Sequence, residues 1–251
     1  GMAASDRANN GSKITRVCSV LASAYIAYKW YHSKYAQKPV IAVDLDEVLC
    51  QFVELMCRYV NDKKLFGDKQ YTVADFDSYL FHEVWGGSID QTTQIVQDFL
   101  DSQYFRNVDE MKAIPDAFKV LSSLTDRFRF VICTSRQLRT REITFKWVNK
   151  FFPGVFDEIV FGNHFGLTGR KISKPDLCKQ LNARILIDDS SYYAKQSHSI
   201  LDYVVIFDWN GKYGWNKTEK QIAPNVKRLC DWQQIQTFLE EYHQELQQQR
   251  Q

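Results

Sequence analysis

The sequence is poor in glycine and proline, with 11 and 5 residues of these types among 251. This scarcity excludes collagen-like chains and most low-complexity chains, whose composition is dominated by these two residues. An excess of charge of one sign is also missing, because 32 lysines and arginines face 30 aspartates and glutamates. The net charge of only +2 gives no overall field that would favour a nucleic acid polymer as partner.

Closely spaced cysteines are absent, and the sequence has no CxxC pair and no cluster of cysteine and histidine with the spacing of a zinc site. The six cysteines are spread along the chain, at positions 18, 50, 57, 133, 178 and 230. We interpret them as reduced thiols. This interpretation predicts an intracellular, reducing compartment, with the cytoplasm favoured.

The N-terminal region lacks a hydrophobic run long enough to cross a bilayer. The longest apolar stretch there, residues 17–28, is shorter than the roughly 20 residues that a membrane-spanning helix needs. Asp6 is the only acidic residue among residues 1–38, where basic residues recur. We predict a basic helical segment over 1–38, which leaves open import into an organelle and peripheral contact with a membrane surface.

The sequence contains enough apolar material for a core, since 45% of its residues are hydrophobic. Five short apolar runs have the length and composition of strands that are buried on both faces. These runs cover residues 40–45, 128–133, 156–161, 184–187 and 203–207. Segments with helical spacing of apolar residues separate the later runs. Alternating strands and helices predict an α/β fold with a Rossmann-like parallel sheet.

One interval breaks this alternation, because roughly 80 residues separate the first run from the second, far more than a typical crossover connection. We predict that residues 51–111 form a small, mostly helical cap, inserted after the first strand. The core domain would then comprise residues 39–50 and 112–251.

Polar residues follow the apolar runs at the points where the strands end. Asp44 and Asp46 follow the first run, Thr134 and Ser135 follow the second, and the pair Asp188 and Asp189 follows the fourth. In open parallel sheets the ligand site lies beyond the carboxyl ends of the strands. We therefore expect these side chains to meet at one edge of the sheet, together with Lys174 at the start of a helix.

The acidic residues of this set predict a metal site. Side chains two positions apart on a strand face the same way, so Asp44 and Asp46 are expected to face one spot. With Asp188 and Asp189 nearby, four carboxylates would repel one another unless a cation lies between them. Oxygen ligands favour a hard cation, and we predict Mg²⁺.

A magnesium ion beside a carboxylate suits attack on a phosphate ester, because the cation cancels the repulsion between the two anions. Asp44 is the predicted nucleophile and would form an aspartyl phosphate. Asp46 is the predicted general acid and base. The Thr134 hydroxyl, neighbouring backbone N–H groups and the Lys174 ammonium can bind the phosphoryl oxygens.

These residues resemble the four ordered motifs of the haloacid dehalogenase (HAD) superfamily. The matching segments are Asp44-Leu45-Asp46-Glu47-Val48-Leu49, Cys133-Thr134-Ser135, Lys174 and Ile187-Asp188-Asp189. Within the superfamily the sequence is most similar to the 5'(3')-deoxyribonucleotidase and putative nucleotidase group. One feature of this finer similarity is the segment Tyr213-Gly214-Trp215-Asn216.

The resemblance implies a sheet with the nucleophile strand at its centre, a cap between the first two motifs, and Mg²⁺. It places the metal ligands on Asp44, the Asp46 carbonyl and Asp189, with Asp188 binding directly or through water. It places the phosphate contacts on Thr134, Ser135 and Lys174. Lys171 is the alternative to Lys174 in the third motif.

Two residues depart from the pattern of the superfamily. Glu47 stands where many relatives carry glycine, and Arg136 stands where nucleotidases often carry proline. Neither departure affects the predicted nucleophile or its acid and base.

We therefore predict a Mg²⁺-dependent phosphatase that hydrolyses a small phosphate monoester, with a nucleoside monophosphate as the best single substrate. The alternatives are a phosphotransferase that uses the same intermediate and a non-catalytic binding or scaffold protein with the same fold. A dehalogenase is disfavoured, because it would need neither Asp46 nor a metal ion.

Overall fold

The fold is an α/β structure built on one six-stranded parallel sheet. The structure is a computed structural model, and it describes Tyr25 and residues 38–164, 166–217 and 221–249. The basic segment predicted over 1–38 lies outside the described residues, apart from Tyr25 and Lys38. In the part of the chain that is described, no helix is both long and apolar enough to cross a membrane.

The strand order is β3-β2-β1-β4-β5-β6, which places β1 inside the sheet between β2 and β4. The Rossmann-like fold predicted from the alternating runs is therefore confirmed. The strand bounds are β1 Val40–Val43, β2 Arg129–Thr134, β3 Phe156–Phe161, β4 Ala183–Asp188, β5 Tyr203–Phe207 and β6 Val226–Leu229. The first five agree with the apolar runs to within two residues at each end.

Helices cover the sheet and fill the interval between β1 and β2. The helix bounds are α1 Phe52–Asp62, α2 Phe81–Trp85, α3 Ile89–Asp101, α4 Gln103–Arg106, α5 Ala117–Ser123, α6 Arg141–Phe151, α7 Lys174–Gln180, α8 Ser191–Ser197 and α9 Trp232–Gln248. Helices α1 to α4 occupy the predicted insertion. This segment belongs to the same compact unit as the sheet, residues 39–251, so its assignment as a separate cap stays a prediction.

The core is continuous from the sheet into the insertion. Buried residues of β1, β2 and β4 belong to the same hydrophobic cluster as those of α1 and α3. Within the insertion, aromatic rings pack edge to face, for example Phe52 on Phe99 with centroids 5.4 Å apart and Phe76 on Phe81 with centroids 5.6 Å apart. These rings therefore stabilise the insertion as its core.

The start of α3 is fixed by a capping box. The Ser88 Oγ accepts a hydrogen bond from the Gln91 N–H at 3.2 Å, and the Gln91 Oε1 accepts one from the Ser88 N–H at 3.0 Å. We expect Ser88→Ala to lower the free energy of unfolding by about 1 kcal/mol, because it leaves an N-terminal amide without its partner. Urea denaturation measures this change. Ser122→Ala, within α5, is the control, and its shift should stay within about 0.5 kcal/mol.

Candidate active site

Three aspartates meet at the carboxyl ends of β1 and β4. Asp44 follows β1, and its N–H donates to the Ile187 carbonyl of β4 at 2.8 Å. Asp188 ends β4, and Asp189 follows it. One carboxylate oxygen from each of these aspartates lies within 4.8 Å of the other two. The expected convergence of acidic groups from separate strands is thus present for these three residues.

Lys174, the first residue of α7, lies beside this cluster. Its Nζ is 2.9 Å from Asp44 Oδ1, and it also contacts Asp188 Oδ2. The side chain is fully buried. Burial lowers the pKa of Lys174, but the carboxylates of Asp188 and Asp44 outweigh it and raise the pKa well above its usual range. Lys171, the alternative lysine, lies on the exposed surface.

Lys174 cannot balance all three carboxylates. Burial raises the pKa of Asp44 to about 7, against the opposing effect of Lys174. Burial also raises the pKa of Asp189 well above its usual range, and Asp188 and Asp44 raise it further. Two negative charges are left over when all three are ionised. A divalent cation would compensate them, and a set of carboxylate oxygens suits a hard ion such as Mg²⁺.

The two oxygens of Asp188 already have protein partners. Its Oδ2 binds Lys174, and its Oδ1 accepts a hydrogen bond from the Ser190 N–H at 2.8 Å. Asp189 instead receives hydrogen bonds on Oδ2, including one from the Trp215 indole N–H at 2.8 Å. The arrangement favours Asp189 over Asp188 as a direct metal ligand, with Asp188 holding Lys174 in place.

The Asp46 side chain does not join the three-carboxylate cluster. Strand β1 ends at Val43, and Asp46 lies three residues beyond it, still close enough to Asp44 to raise the pKa of that carboxyl. The Asp46 carboxylate binds Arg136 instead. Arg136 Nε lies 3.0 Å from Oδ2, and its Nη2 lies 2.7 Å from Oδ1. Arg136 therefore supplies a counter-charge for Asp46 beside the cluster.

Arg136 is enclosed by residues of the insertion and of helix α6. Its side chain is 5% exposed, its Nη1 donates to Thr144 Oγ1 at 3.0 Å, and its guanidinium lies 5.2 Å from the centre of the Phe105 ring. The Asp46 side chain is 27% exposed, compared with 10% for Asp44. Of the residues placed in this site, Asp46 is thus the acid that a substrate reaches most easily.

Thr134 and Ser135 occupy the end of β2. The Thr134 Oγ1 accepts a hydrogen bond from the Arg136 N–H at 3.2 Å. The Ser135 Oγ donates to the Tyr193 hydroxyl at 3.0 Å, and that hydroxyl lies 2.6 Å from His164 Nδ1. Since His164 Nε2 lies 2.7 Å from a backbone carbonyl, Nε2 must carry the proton, and Nδ1 accepts from Tyr193.

The structure shows how Glu47 occupies the position at which many relatives carry glycine. Its φ is +61°, a conformation that favours glycine. The side chain compensates, because Oε1 accepts a hydrogen bond from the Val53 N–H of α1 at 2.6 Å. Burial raises the pKa of Glu47 to about 8, and the Val53 hydrogen bond opposes this rise. Glu47 therefore links the loop that contains Asp44 and Asp46 to α1, the first helix of the insertion.

Sequence reasoning missed three residues that contact the site: Arg136, Tyr193 and Tyr79. The expectation that the departure at Arg136 leaves the predicted acid and base unaffected is wrong, because Arg136 binds the Asp46 carboxylate, and its position next to Thr134 and Ser135 is a usable signal. Tyr193 lies one turn into the helix after Asp188 and Asp189. Tyr79 lies in the insertion and had no signal, because nothing in the sequence shows where an inserted loop touches the sheet.

The chain matches the family model described as 5' nucleotidase, deoxy (pyrimidine), cytosolic type C protein over residues 38–239. No curated protein sequence matches the chain. Solved structures show the same fold at low identity. A predicted phosphatase from Clostridium acetobutylicum is 19% identical, with a TM-score of 0.62, and the alignment covers 81% of this chain and 99% of that one.

A HAD family hydrolase from Deinococcus radiodurans, crystallised with bound phosphate and sodium, is 15% identical with a TM-score of 0.60. That alignment covers 81% of this chain and 96% of the other. The family match spans most of the chain and includes every residue of the site described above. The chain therefore belongs to the cytosolic type C 5' nucleotidase family, and it is a phosphoric monoester hydrolase of the HAD superfamily.

Proposed function

We propose that this protein is a Mg²⁺-dependent nucleotidase that hydrolyses a nucleoside monophosphate through an aspartyl phosphate on Asp44. The observation that carries the proposal is the grouping of Asp44, Asp188 and Asp189, whose carboxylate oxygens lie within 4.8 Å of one another. The buried Lys174 binds the first two, and the more accessible Asp46 lies nearby. This arrangement provides a nucleophile, a cation site and an acid in one place.

In the first step, an oxygen of Asp44 attacks phosphorus and the bond to the ester oxygen breaks. The leaving oxygen takes a proton from Asp46. In the second step, water attacks the aspartyl phosphate, Asp46 recovers a proton from that water, and the Asp44 carboxylate and inorganic phosphate are released. Asp46 Oδ2 is suited to this exchange, because it accepts from Arg136 Nε through one lone pair and retains another.

The remaining residues hold the phosphoryl group. Lys174 balances charge on the phosphoryl oxygens while it keeps Asp44 in position. The Thr134 hydroxyl accepts one hydrogen bond and can still donate its own hydrogen to the phosphoryl group, and Ser135 contributes from the same turn. When bound by Asp44, the Asp46 carbonyl and Asp189, a magnesium ion supplies positive charge that offsets repulsion between the nucleophile and the phosphate.

The size of the substrate follows from the insertion. The Tyr79 hydroxyl of the insertion donates to the backbone carbonyl of Asp189, so this part of the insertion lies beside the site and can shield it from water. Small phosphate esters are therefore favoured. The family match supports a nucleotide among these.

Phosphate release from a panel of ribo- and deoxyribonucleoside monophosphates, with sugar phosphates beside them, tests the proposal. We expect the highest kcat/KM with a nucleoside monophosphate. Removal of the cation by EDTA should lower the rate at least about 100-fold, since the charge of the cluster would be uncompensated, and added Mg²⁺ should restore it.

Two results would overturn this proposal. If EDTA left the rate unchanged, the reaction would not need the cation. If every small ester were hydrolysed equally fast, the protein would have no preference for nucleotides. Product analysis with added alcohols separates hydrolysis from transfer, because a phosphotransferase would yield a new phosphate ester instead of inorganic phosphate.

A further inference from the structure

Tyr79 links the insertion to the candidate cation site. It lies between the short helical turn Val73–Asp75 and helix α2. Its hydroxyl donates a hydrogen bond to the Asp189 carbonyl at 2.7 Å and lies 3.3 Å from Asp189 Oδ2. Through this hydroxyl, a loop of the insertion contacts Asp189, the residue that we assign as a metal ligand.

Trp215, which follows β5 in the chain, also contacts Asp189. Its indole N–H donates to Asp189 Oδ2 at 2.8 Å, and the neighbouring Asn216 amide donates to the Asp189 carbonyl at 3.1 Å. These donors fix both the carboxylate and the backbone of Asp189. Since Tyr79 and Trp215 both approach Oδ2, they leave Oδ1 as the oxygen that can face a cation.

The rings of these residues form one row, which we call the aromatic row: Tyr79, Trp215 and Tyr213. The centroids of Tyr79 and Trp215 are 5.7 Å apart, and those of Trp215 and Tyr213 are stacked at 4.5 Å. The Tyr213 hydroxyl donates to the Glu47 carbonyl at 2.8 Å. The aromatic row therefore connects the insertion, the Asp189 carboxylate and the loop that carries the nucleophile.

The backbone of Gly214 is pressed against the insertion at the same place. A Cβ at Gly214 would lie 2.6 Å from the Phe76 carbonyl oxygen, which is closer than real Cβ contacts allow. The contact leaves the segment that carries Trp215 little room to shift relative to Phe76. The segment that carries Trp215 and Asn216, both of which bind Asp189, therefore packs directly on the insertion just before Tyr79.

From these contacts we infer that Tyr79 and Trp215 are positioning residues that orient Asp189 for the cation, and that cation binding in turn holds the Tyr79 loop on the site. The inference rests on the proposed function, because it takes Asp189 as a metal ligand. The two effects are reciprocal. If the Tyr79 contact strengthens cation binding, the cation must stabilise the Tyr79 contact by the same factor.

Calorimetric titration of the substrate-free full chain with MgCl₂ tests the first half. Tyr79→Phe keeps the ring and removes the hydroxyl, and we expect the Kd for Mg²⁺ to rise about 3- to 10-fold. Trp215→Phe removes a hydrogen bond to a charged oxygen, and the expected rise is about 10-fold or more. Tyr192→Phe is the matched control, because this exposed tyrosine of α8 does not contact Asp189, and its Kd should equal that of the wild type.

Hydrogen exchange of residues 71–88 tests the second half. In the wild type, saturating Mg²⁺ should slow the exchange of these backbone amides, and Tyr79→Phe should remove most of that protection. The Tyr192→Phe control should keep it. A structural role alone would change exchange equally with and without the ion.

The outcomes separate the inference from the proposal beneath it. If the wild type binds Mg²⁺ and both Tyr79→Phe and Trp215→Phe bind it with the same Kd, the positioning role is refuted and the cation site stands. If the wild type gives no binding, the cation site itself is refuted. The melting temperature of each variant without Mg²⁺ shows whether it is folded, and the two substitutions are independent tests should one of them unfold the chain.

Discussion

Asp44→Asn is expected to abolish phosphate release while it stabilises the metal-free protein. The amide cannot attack phosphorus, so the rate should fall at least about 10³-fold, as for other enzymes that lose their nucleophile. The side chain is buried, and burial, which disfavours the charged form, raises its pKa to about 7. At pH 8 the wild-type carboxylate is mostly ionised, so a neutral amide removes an unfavourable buried charge.

The gain in stability is limited by a lost ion pair. Asparagine gives up the contact between Asp44 Oδ1 and Lys174 at 2.9 Å, but Lys174 keeps Asp188 as its partner. Burial outweighs Lys174 in setting the pKa of Asp44, so we expect a net gain of about 1–3 kcal/mol without Mg²⁺. With Mg²⁺ the difference should shrink, because the wild type would bind the ion more tightly.

Thermal denaturation at pH 8 with and without Mg²⁺ measures the stability, and a phosphate release assay measures the rate. Asp68→Asn is the control, because its side chain is 97% exposed, and it should change neither quantity. A rate for Asp44→Asn within tenfold of the wild type would show that another group attacks phosphorus.

Most of the sheet could be predicted from the sequence because its strands are buried on both faces. Runs such as Val40–Val43 and Tyr203–Phe207 are apolar and too short for a helix, which favours a central strand. The strand β6 was missed. Its sequence, Val226–Leu229, is only four residues long and carries Lys227 and Arg228 in the middle, whereas the other edge strand, β3, is six residues long and ends in three consecutive apolar residues.

The site was predicted as a set of residues but not as a set of contacts. Asp44, Lys174, Asp188 and Asp189 meet because the carboxyl ends of parallel strands and the following helix share one edge of the sheet. The pairing of Asp46 with Arg136 depended on where β1 ends, which a periodic pattern does not define to one residue.

The sequence does not predict which residues of the insertion contact the site. Strand order and crossover rules restrict how β1, β2 and β4 pair, but they do not restrict where an inserted loop rests. Tyr79 meets Asp189 across 110 positions of the chain, and only the folded structure brings them together. The residues that orient catalytic groups are thus harder to predict than the catalytic groups themselves.

Lys174→Met is expected to destabilise the protein strongly and to remove its activity. Methionine fills a similar volume and has no charge, so Asp44 and Asp188 would face each other without the ammonium group that now contacts both. Removing one partner of a buried ion pair costs about 3–5 kcal/mol, because the remaining charge stays buried without compensation. Urea denaturation without Mg²⁺ should show a loss of this size.

The double variant Lys174→Met with Asp188→Asn isolates the electrostatic cause. Asparagine removes one of the two carboxylates, so the double variant should recover about 2 kcal/mol of the loss. Its activity should not recover, because no ammonium group remains to balance the phosphoryl oxygens. A purely steric effect of methionine would give no recovery, since Asp188→Asn changes the charge and scarcely changes the shape.

Lys171→Met is the matched control, because it removes the same charge from the alternative lysine three positions upstream. Lys171 is exposed and Lys174 is fully buried, so Lys171→Met should change the free energy of unfolding by less than about 0.5 kcal/mol. It should also leave kcat close to the wild-type value. If Lys171→Met removed activity while Lys174→Met kept it, the phosphate contact would belong to the exposed loop, and the buried ion pairs of Lys174 would serve stability alone.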